Sequence, residues 1–303
     1  GLISLIEVEN PQAYGIISLD SQNFVEKIIE KPPAELNLGN LANAGIYIFN
    51  SLIFKAIDGT KLSTRGEYEF TDSMEILIKE LGGKIYGFTI EEYYWSDIGL
   101  PWQLLQANQY LLKMIEKKNL GAIEENVSIQ GNVFIGEGTT VRSGSYIQGP
   151  CYIGKNNIIG PNTFIGPHTS IQDDCHMGIS EIKNSMIFSD TSIPQFNYVG
   201  DSIICENVNL GAGTKIANVR LDDKNVEVTI KNKRIDSHTR NLGAIIGPNV
   251  KTGINCSVMC GKIINENSKI GAHTLVNEDI SPNVFYYQDS KDGSIKITNL
   301  EYD

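Results

Sequence analysis

The sequence predicts a mixed α/β piece over residues 1–119, a parallel β-helix of hexapeptide repeats over 120–282 and a capping tail at 283–303. Two observations carry this expectation. Counting in sixes from Ile123 gives Ile129, Ile135, Val141, Ile147, Ile153, Ile159, Ile165 and Ile171, all Ile or Val, with Gly, Asn and Pro recurring between them. Before residue 120 that period is absent, and strand-like apolar runs alternate with helix-like stripes.

In the first piece, Leu2–Val8, Tyr14–Leu19, Ala44–Phe49 and Lys84–Ile90 read as strands. Thr71 is placed to cap a helix running to about Leu81, and Pro101 opens a second helix. Leu104, Leu105, Leu111, Leu112 and Ile115 form that helix's apolar stripe, and Glu116-Lys117-Lys118 ends it as a linker. The piece is of domain size but short for a doubly wound nucleotide fold.

A helix marks its buried face every three or four residues and a half-buried strand every two, so a six-residue period with turn formers means strand, turn and repeat. Three such sides close one triangular coil. Stacked coils pair their strands at about 4.8 Å and bring the aliphatic marks into inward ladders. The rhythm slips after Met177, where a four-residue excess leading to Ile187, Ile193 and Val199 predicts a protrusion. A second interruption, Asp222 to Asn241, contains Lys231-Asn232-Lys233-Arg234. The sixes then resume at Ile246, Val258, Ile264, Ile270 and Val276, with Thr252 filling one slot. Excursions from a solenoid usually carry contacts or function. Val284 to Asp303 reads as two short strands capping the open end.

The 303 residues are 41% apolar, and 36 acidic against 25 basic side chains give a net charge of −11. That balance disfavours nucleic acid as a partner, because such binders draw most of their affinity from neutralising phosphates. It leaves room for a small anion, since fields are screened beyond about 8 Å at physiological salt and a few lysines can dominate a pocket. No run reaches the length of a membrane helix and the start lacks a signal peptide, so no membrane partner and a cytoplasmic location are expected. Five cysteines without a Cys-x-x-Cys pair argue against a disulfide framework and a structural zinc site. His168, His176, His238 and His273 are too scattered to suggest a catalytic zinc centre. The opening at Gly1, directly into an apolar strand, gives the expectation of an N-terminally truncated chain.

Five motifs occur in order: Tyr14-Gly15, Glu30-Lys31-Pro32, Asn43-Ala44-Gly45-Ile46-Tyr47, Arg65-Gly66-Glu67-Tyr68-Glu69-Phe70-Thr71-Asp72 and Tyr94-Trp95-Ser96-Asp97-Ile98-Gly99. The series resembles the second half of the sugar-1-phosphate nucleotidylyltransferases. The resemblance implies Gly15 and Asn43 near the sugar, Glu30 accepting from its hydroxyls, Lys31 pairing with its phosphate and Asp97 holding Mg²⁺. These residue types suit attack of one phosphate on another, which needs neutralised charge and an aligned approach. The family's first half, with its Gly-rich nucleotide loop, has no counterpart here. Gly211-Ala212-Gly213-Thr214 looks like such a loop but lies in the repeats and reads as a coil corner. The expectation is therefore weak sugar-phosphate binding and no complete nucleotidyl transfer by this stretch.

Tyr198-Val199-Gly200-Asp201-Ser202, the run Asn209 to Asn218, Lys224 and Lys251-Thr252-Gly253-Ile254-Asn255 form the second set. It resembles the left-handed β-helix domain of the bifunctional N-acetylglucosamine-1-phosphate uridylyltransferase/glucosamine-1-phosphate acetyltransferases, and more closely their archaeal sugar-1-phosphate nucleotidylyltransferase relatives. The resemblance implies left-handed coils, a homotrimer with sites between subunits, and acetyl-CoA along coil edges at Gly253 and Ala272. Lys183, Tyr198, Asn218 and Lys224 match phosphate- and sugar-binding groups. Gln195 stands at the family's base histidine and Gly166 at its phosphate-binding arginine. A carboxamide takes no proton near neutral pH, and loss of a general base costs about 10²–10⁴ in rate. His168 is a candidate substitute base. Lys231, Lys233, Arg234 and Arg240 read as a CoA-phosphate contact or, more simply, a solvated loop.

The resulting reading is a sugar-1-phosphate nucleotidylyltransferase family member, making nucleotide sugars from a nucleoside triphosphate and a sugar 1-phosphate, with an appended acetyltransferase-like domain. The alternatives are an amino-sugar-1-phosphate N-acetyltransferase and a non-catalytic, oligomerising regulatory paralogue.

Overall fold

The computed structural model describes residues 1–33, 36, 39–90 and 94–300, and the chain divides into two compact units, Gly1–Ser96 and Asp97–Asp303.

The first unit is a five-stranded sheet of order β3-β2-β4-β1-β5, with β1 Leu2–Glu7, β2 Gly15–Leu19, β3 Val25–Glu30, β4 Leu41–Ile48 and β5 Tyr86–Thr89. β5 runs parallel to β1 and the other pairings are antiparallel. Helices α1 Leu52–Asp58 and α2 Phe70–Lys79 complete the unit, whose core joins Ile3, Leu5, Ile17, Val25, Ile28, Ile53, Met74 and Leu77. The polar Ser4 is buried in β1 but satisfied, donating to Ile46 O at 3.0 Å and accepting from Ile46 N at 3.1 Å.

Three features depart from the sequence reading. Strand β3 was not expected, because its two buried side chains, Val25 and Ile28, are three residues apart rather than two. A register shift between Ser18 and Leu19 places an extra β3 residue there, so both still face the core. Helix α1, two turns long, is below the length at which periodicity is readable. Helix α2 starts at Phe70 with Glu69 as N-cap, so Thr71 is no cap but a buried residue of the first turn.

The second unit begins with α3, Pro101–Lys113. Sequence texture assigned this helix to the first piece, whereas the compact unit starts at Asp97 and includes it. Trp102 and Leu105 join Ile203, Val226, Val228 and Leu242 in one core cluster, which explains the shift. The buried face runs through Trp102, Leu105, Asn108 and Leu112, while Leu111 of the expected stripe is 62% exposed.

The rest is a left-handed β-helix with three parallel faces. One starts with Ala122–Ile123, Thr140–Val141 and Ile158–Ile159; a second holds eight strands from Ser128–Gln130 to Leu275–Val276; a third holds eight from Lys118–Asn119 to Ile263–Ile264. Ile135, Val141, Ile147, Ile153, Ile159, Ile165 and Ile171 are buried in one inward core. Thr252 fills its slot as expected, its hydroxyl 3.0 Å from that of Thr214 and accepting from Gly211 N at 2.9 Å.

The protrusion expected after Met177 is absent. Ile182, in the strand Glu181–Lys183, is fully buried and fills the inward slot. Strand partners on successive coils, 18 residues apart up to Ile171, are 16 apart at Ile171–Ile187 and Met177–Ile193 and 17 apart at Ile187–Ile204, so these coils lose one or two residues rather than gain four. The true excursion lengthens that separation to 42. It forms a hairpin of Glu227–Ile230 and Lys233–Asp236, turning through Lys231 and Asn232 at positive φ. The tail caps the helix: Val284–Gln288 pairs with Lys269–Ile270 and with Ile295–Asn299.

Candidate functional site

The predicted residues fall into separate groups. In the first unit, Gly15 pairs across the sheet with Glu30, and a Cβ on Gly15 would lie 2.6 Å from Glu30 Oε2. A side chain there would push the carboxylate out of its present position. Arg65 lies 4.0 Å from Glu30 and makes a closer pair, 2.6 Å, with Glu69. Burial raises the Glu30 pKa, with Arg65 and then Lys31 opposing the rise. Lys31 is exposed, follows Glu30 at φ 45°, and donates its backbone N–H to Tyr14 O at 3.0 Å.

Asn43 on β4 donates to the Tyr47 hydroxyl at 2.7 Å and accepts from Gly45 N at 2.9 Å. Burial pushes the Tyr47 phenol up, the Asn43 bond opposes this and the Glu30 charge adds to it. Trp95 Nε1 donates to Ala44 O at 2.9 Å and its ring meets Tyr14 edge-on at 5.8 Å. Gly15, Glu30 and Lys31 thus gather with Arg65 and Glu69. The last two lie in a motif whose sequence gives them no role, and their pairing is visible only in the structure. Thr71, inside α2 rather than at its cap, has a buried hydroxyl with no hydrogen-bond partner, and its methyl lies against Gly15.

Asp97 belongs to the second unit and is exposed just ahead of α3. Among the described residues, no group of three or more His, Cys, Asp or Glu could hold a metal. A single exposed carboxylate still fits Mg²⁺, which is often held by one or two carboxylates together with substrate phosphates.

On the solenoid, Lys183, Tyr198 and Asn218 meet at the corner between the second and third faces. Lys183 Nζ lies 5.1 Å over the Tyr198 ring and bonds Glu181 at 2.8 Å, which holds its pKa above the ordinary value. The Tyr198 hydroxyl donates to Asn218 Oδ1 at 3.3 Å. An open groove of about 600 Å³ is lined by Phe164, Glu181, Phe196, Asn197, Tyr198 and Lys215 among others. The buried Asn197 Nδ2 has no partner, while Lys215 Nζ donates to the Phe196 and Gly213 carbonyls.

Gln195, Gly253 and Ala272 lie along the opposite edge of the second face, where Gly211, Gly253 and Ala272 stack. A Cβ on Gly211 would meet Gly253 O at 2.3 Å, and one on Gly253 would meet Ala272 N at 2.5 Å. Gln195 is exposed there, its carbonyl accepting from Gly213 N at 2.9 Å. Gly211–Thr214 is a coil corner, as expected.

Gly166 lies beside Lys183: a Cβ on it would be 2.6 Å from Lys183 Cβ, so the Lys183 stem fills the first part of an arginine's path. His168 is half-buried, and Asn108 on α3 donates to its carbonyl at 3.1 Å. Burial and then Lys113 lower its pKa, and its Nδ1 has no partner. Lys224 sits apart in the excursion, in a cavity of about 340 Å³ with Arg220, Asp223 and Arg240. Arg240 is paired with Asp223 and Arg234 with Glu227, leaving this basic run partly neutralised.

Comparison with known proteins fits both halves. A family profile described as Nucleotidyl transferase matches residues 1–114, and one described as GMPPB C-terminal domain matches 146–235. The chain is 47% identical over 287 residues to the Bifunctional protein GlmU of Methanocaldococcus jannaschii, covering 94% of this chain and 69% of that protein. It is 44% identical to the bifunctional sugar-1-phosphate nucleotidylyltransferase/acetyltransferase of Sulfurisphaera tokodaii, over 93% of this chain and 69% of the relative. The chain belongs to this bifunctional family. Like its relatives, this family member joins a nucleotidyltransferase domain to a β-helix acyltransferase-like region.

The low-salt glycan biosynthesis nucleotidyltransferase Agl11 of Haloferax volcanii is 39% identical over 210 residues, or 69% of this chain and 58% of Agl11. A solved UDP-N-acetylglucosamine acyltransferase from Francisella novicida, at 17% identity and a TM-score of 0.37, covers 61% of this chain and 70% of its own, too distant to bear on the argument. Among the described residues, no helix is long and apolar enough to cross a membrane.

Proposed function

We propose that the protein is a sugar-1-phosphate nucleotidylyltransferase working in the cytoplasm. Its first unit holds the sugar 1-phosphate of a reaction that yields a nucleotide sugar and pyrophosphate. The Glu30 cluster carries this reading: a half-buried carboxylate opposite a glycine it nearly touches, followed at once by an exposed lysine. Glu30 accepts from sugar hydroxyls, Lys31 neutralises the attacking phosphate and Asn43 borders the sugar beside Gly15. That phosphate oxygen bonds to the nucleotide α-phosphorus, and the bond to the β-phosphate breaks. Asp97 is the residue that would hold Mg²⁺, which when bound supplies charge neutralisation.

The test is pyrophosphate release from a nucleoside triphosphate and a hexosamine 1-phosphate with Mg²⁺, by the protein as its native cell makes it. Sugar-dependent release that Glu30→Gln and Lys31→Ala abolish is expected. Release indifferent to both, or none, contradicts the reading.

A second activity is favoured by the Lys183–Tyr198–Asn218 corner. We infer that it binds an amino-sugar 1-phosphate, with acetyl-CoA along Gly253 and Ala272 and the site shared between subunits of a homotrimer. The amine nitrogen attacks the thioester carbon, the C–S bond breaks, CoA leaves and the amine loses a proton. Gln195 cannot take that proton, so the reaction is slow unless solvent or another base does. CoA release dependent on glucosamine 1-phosphate is the expected result. Its absence, with copurification of a longer partner, would favour a regulatory role instead.

A further inference from the structure

The corner that presents Lys183, Tyr198 and Asn218 is one end of a longer polar chain. Asp201 is 6% exposed, and its two carboxylate oxygens accept from the Nδ2 groups of Asn184 and Asn218. Asn184 Oδ1 accepts from Gln109 Nε2 on α3 at 2.7 Å, and Asn218 Oδ1 accepts from the Tyr198 hydroxyl at 3.3 Å. The run Gln109–Asn184–Asp201–Asn218–Tyr198 is continuous.

An ionised carboxylate only accepts hydrogen bonds, so Asp201 forces both amides to turn their nitrogens inward and their oxygens away. Asn218 therefore offers Tyr198 a carbonyl oxygen. The tyrosine's one proton is used on it, and the phenol oxygen is left with lone pairs for a ligand. Gly200 makes this possible, since a Cβ there would come within 2.9 Å of both the Tyr198 hydroxyl and Asn218 Nδ2. A hydrogen-bond acceptor beside a lysine ammonium complements a ligand carrying a donor at one point and a phosphate at another.

The geometry points to Asp201 as a positioning residue. By fixing the Asn184 and Asn218 amides, it sets the Tyr198 oxygen as the acceptor for the ammonium group of an amino-sugar phosphate, and α3 anchors the far end through Gln109. This rests on the reading that the corner binds such a ligand. Asp201 touches no substrate in this account. Its effect is discrimination between an amino sugar and the corresponding hydroxy sugar.

The test uses the full chain carrying Glu30→Gln, so that only the solenoid site is read, titrated with glucosamine 1-phosphate and with glucose 1-phosphate. The parent is expected to favour the amino sugar. Asp201→Asn, whose amide can donate and so lets Asn218 turn over, should weaken the amino sugar by about 10- to 100-fold and bring the two affinities together. Gly200→Ala, which displaces the Tyr198 hydroxyl and Asn218 Nδ2 while keeping the Asp201 carboxylate, should act the same way and answers the question if Asp201→Asn does not fold. Parent-like preference in both variants overturns the inference alone. No binding by the parent, or binding that Lys183→Ala leaves unchanged, overturns the underlying acceptor-site reading and the inference with it.

Discussion

The two candidate sites, one in each unit, are built from opposite kinds of material. In the sheet unit, Gly15 and Glu30 from neighbouring strands and Arg65 and Glu69 from the loop ahead of α2 meet once, around a single half-buried carboxylate. On the solenoid, the side chains come from equivalent corners of successive coils: Asn184 and Asn218 each reach Asp201 across a separation of 17 residues. A one-off site is specified by particular tertiary contacts. A ladder site is specified by coil length, and here the shortened coils are those that carry Lys183, Tyr198 and Asn218.

The largest expected effect tests whether the units are independent. Ile165→Ala removes a fully buried side chain from the solenoid core and should cost about 2–5 kcal/mol. In calorimetry it should lower the solenoid's transition and leave that of the sheet unit in place; equal movement of both would show that the two units unfold as one. Next, Lys183→Ala should weaken glucosamine 1-phosphate binding at the solenoid by about 10- to 100-fold, the worth of one charge-assisted hydrogen bond. Glu30→Gln should leave that binding unchanged.

Gln195→His tests the solenoid site from the catalytic side. If only the base is missing, CoA release dependent on glucosamine 1-phosphate should rise by about 10- to 100-fold and should fall again below the histidine's pKa. No rise would mean that Gln195 does not stand at the base position or that Gly166 also limits the reaction.

The smallest effect concerns stability. Because burial raises the Glu30 pKa, the folded state holds that proton more tightly than the unfolded chain. Its contribution to stability therefore falls as pH rises from the ordinary carboxylate range through the raised value, and the penalty is complete at neutral pH. Glu30→Gln should slightly raise the thermal midpoint of the sheet unit at pH 7 and lose that advantage near pH 4. A lower midpoint at pH 7 would show the carboxylate to be stabilising.

The solenoid was legible because one coil's inward positions repeat in the next, so Ile165 could be placed from Ile147 alone. Reading failed where the period changed. Five-residue steps to Ile182 and Ile187 looked like an insertion, because a lost corner residue and a gained loop both break a count in sixes. In the sheet unit, β3 was hidden by a bulge, and α1 by its length. The candidate residues came from motif resemblance, and their partners came from tertiary contact. Nothing in the sequence alone announces that Asp201 joins Asn184 to Asn218, or that Arg65 turns toward Glu30 and Glu69.

The proposed function gives one chain two separate sugar-phosphate sites. Equilibrium titration with glucosamine 1-phosphate, on the parent, Glu30→Gln, Lys183→Ala and the double variant, tests it most directly. Two binding events in the parent, one lost in Glu30→Gln, the other weakened by about 10- to 100-fold in Lys183→Ala, and both changes together in the double variant, is the predicted result. A single event, or events that neither substitution removes, would contradict it.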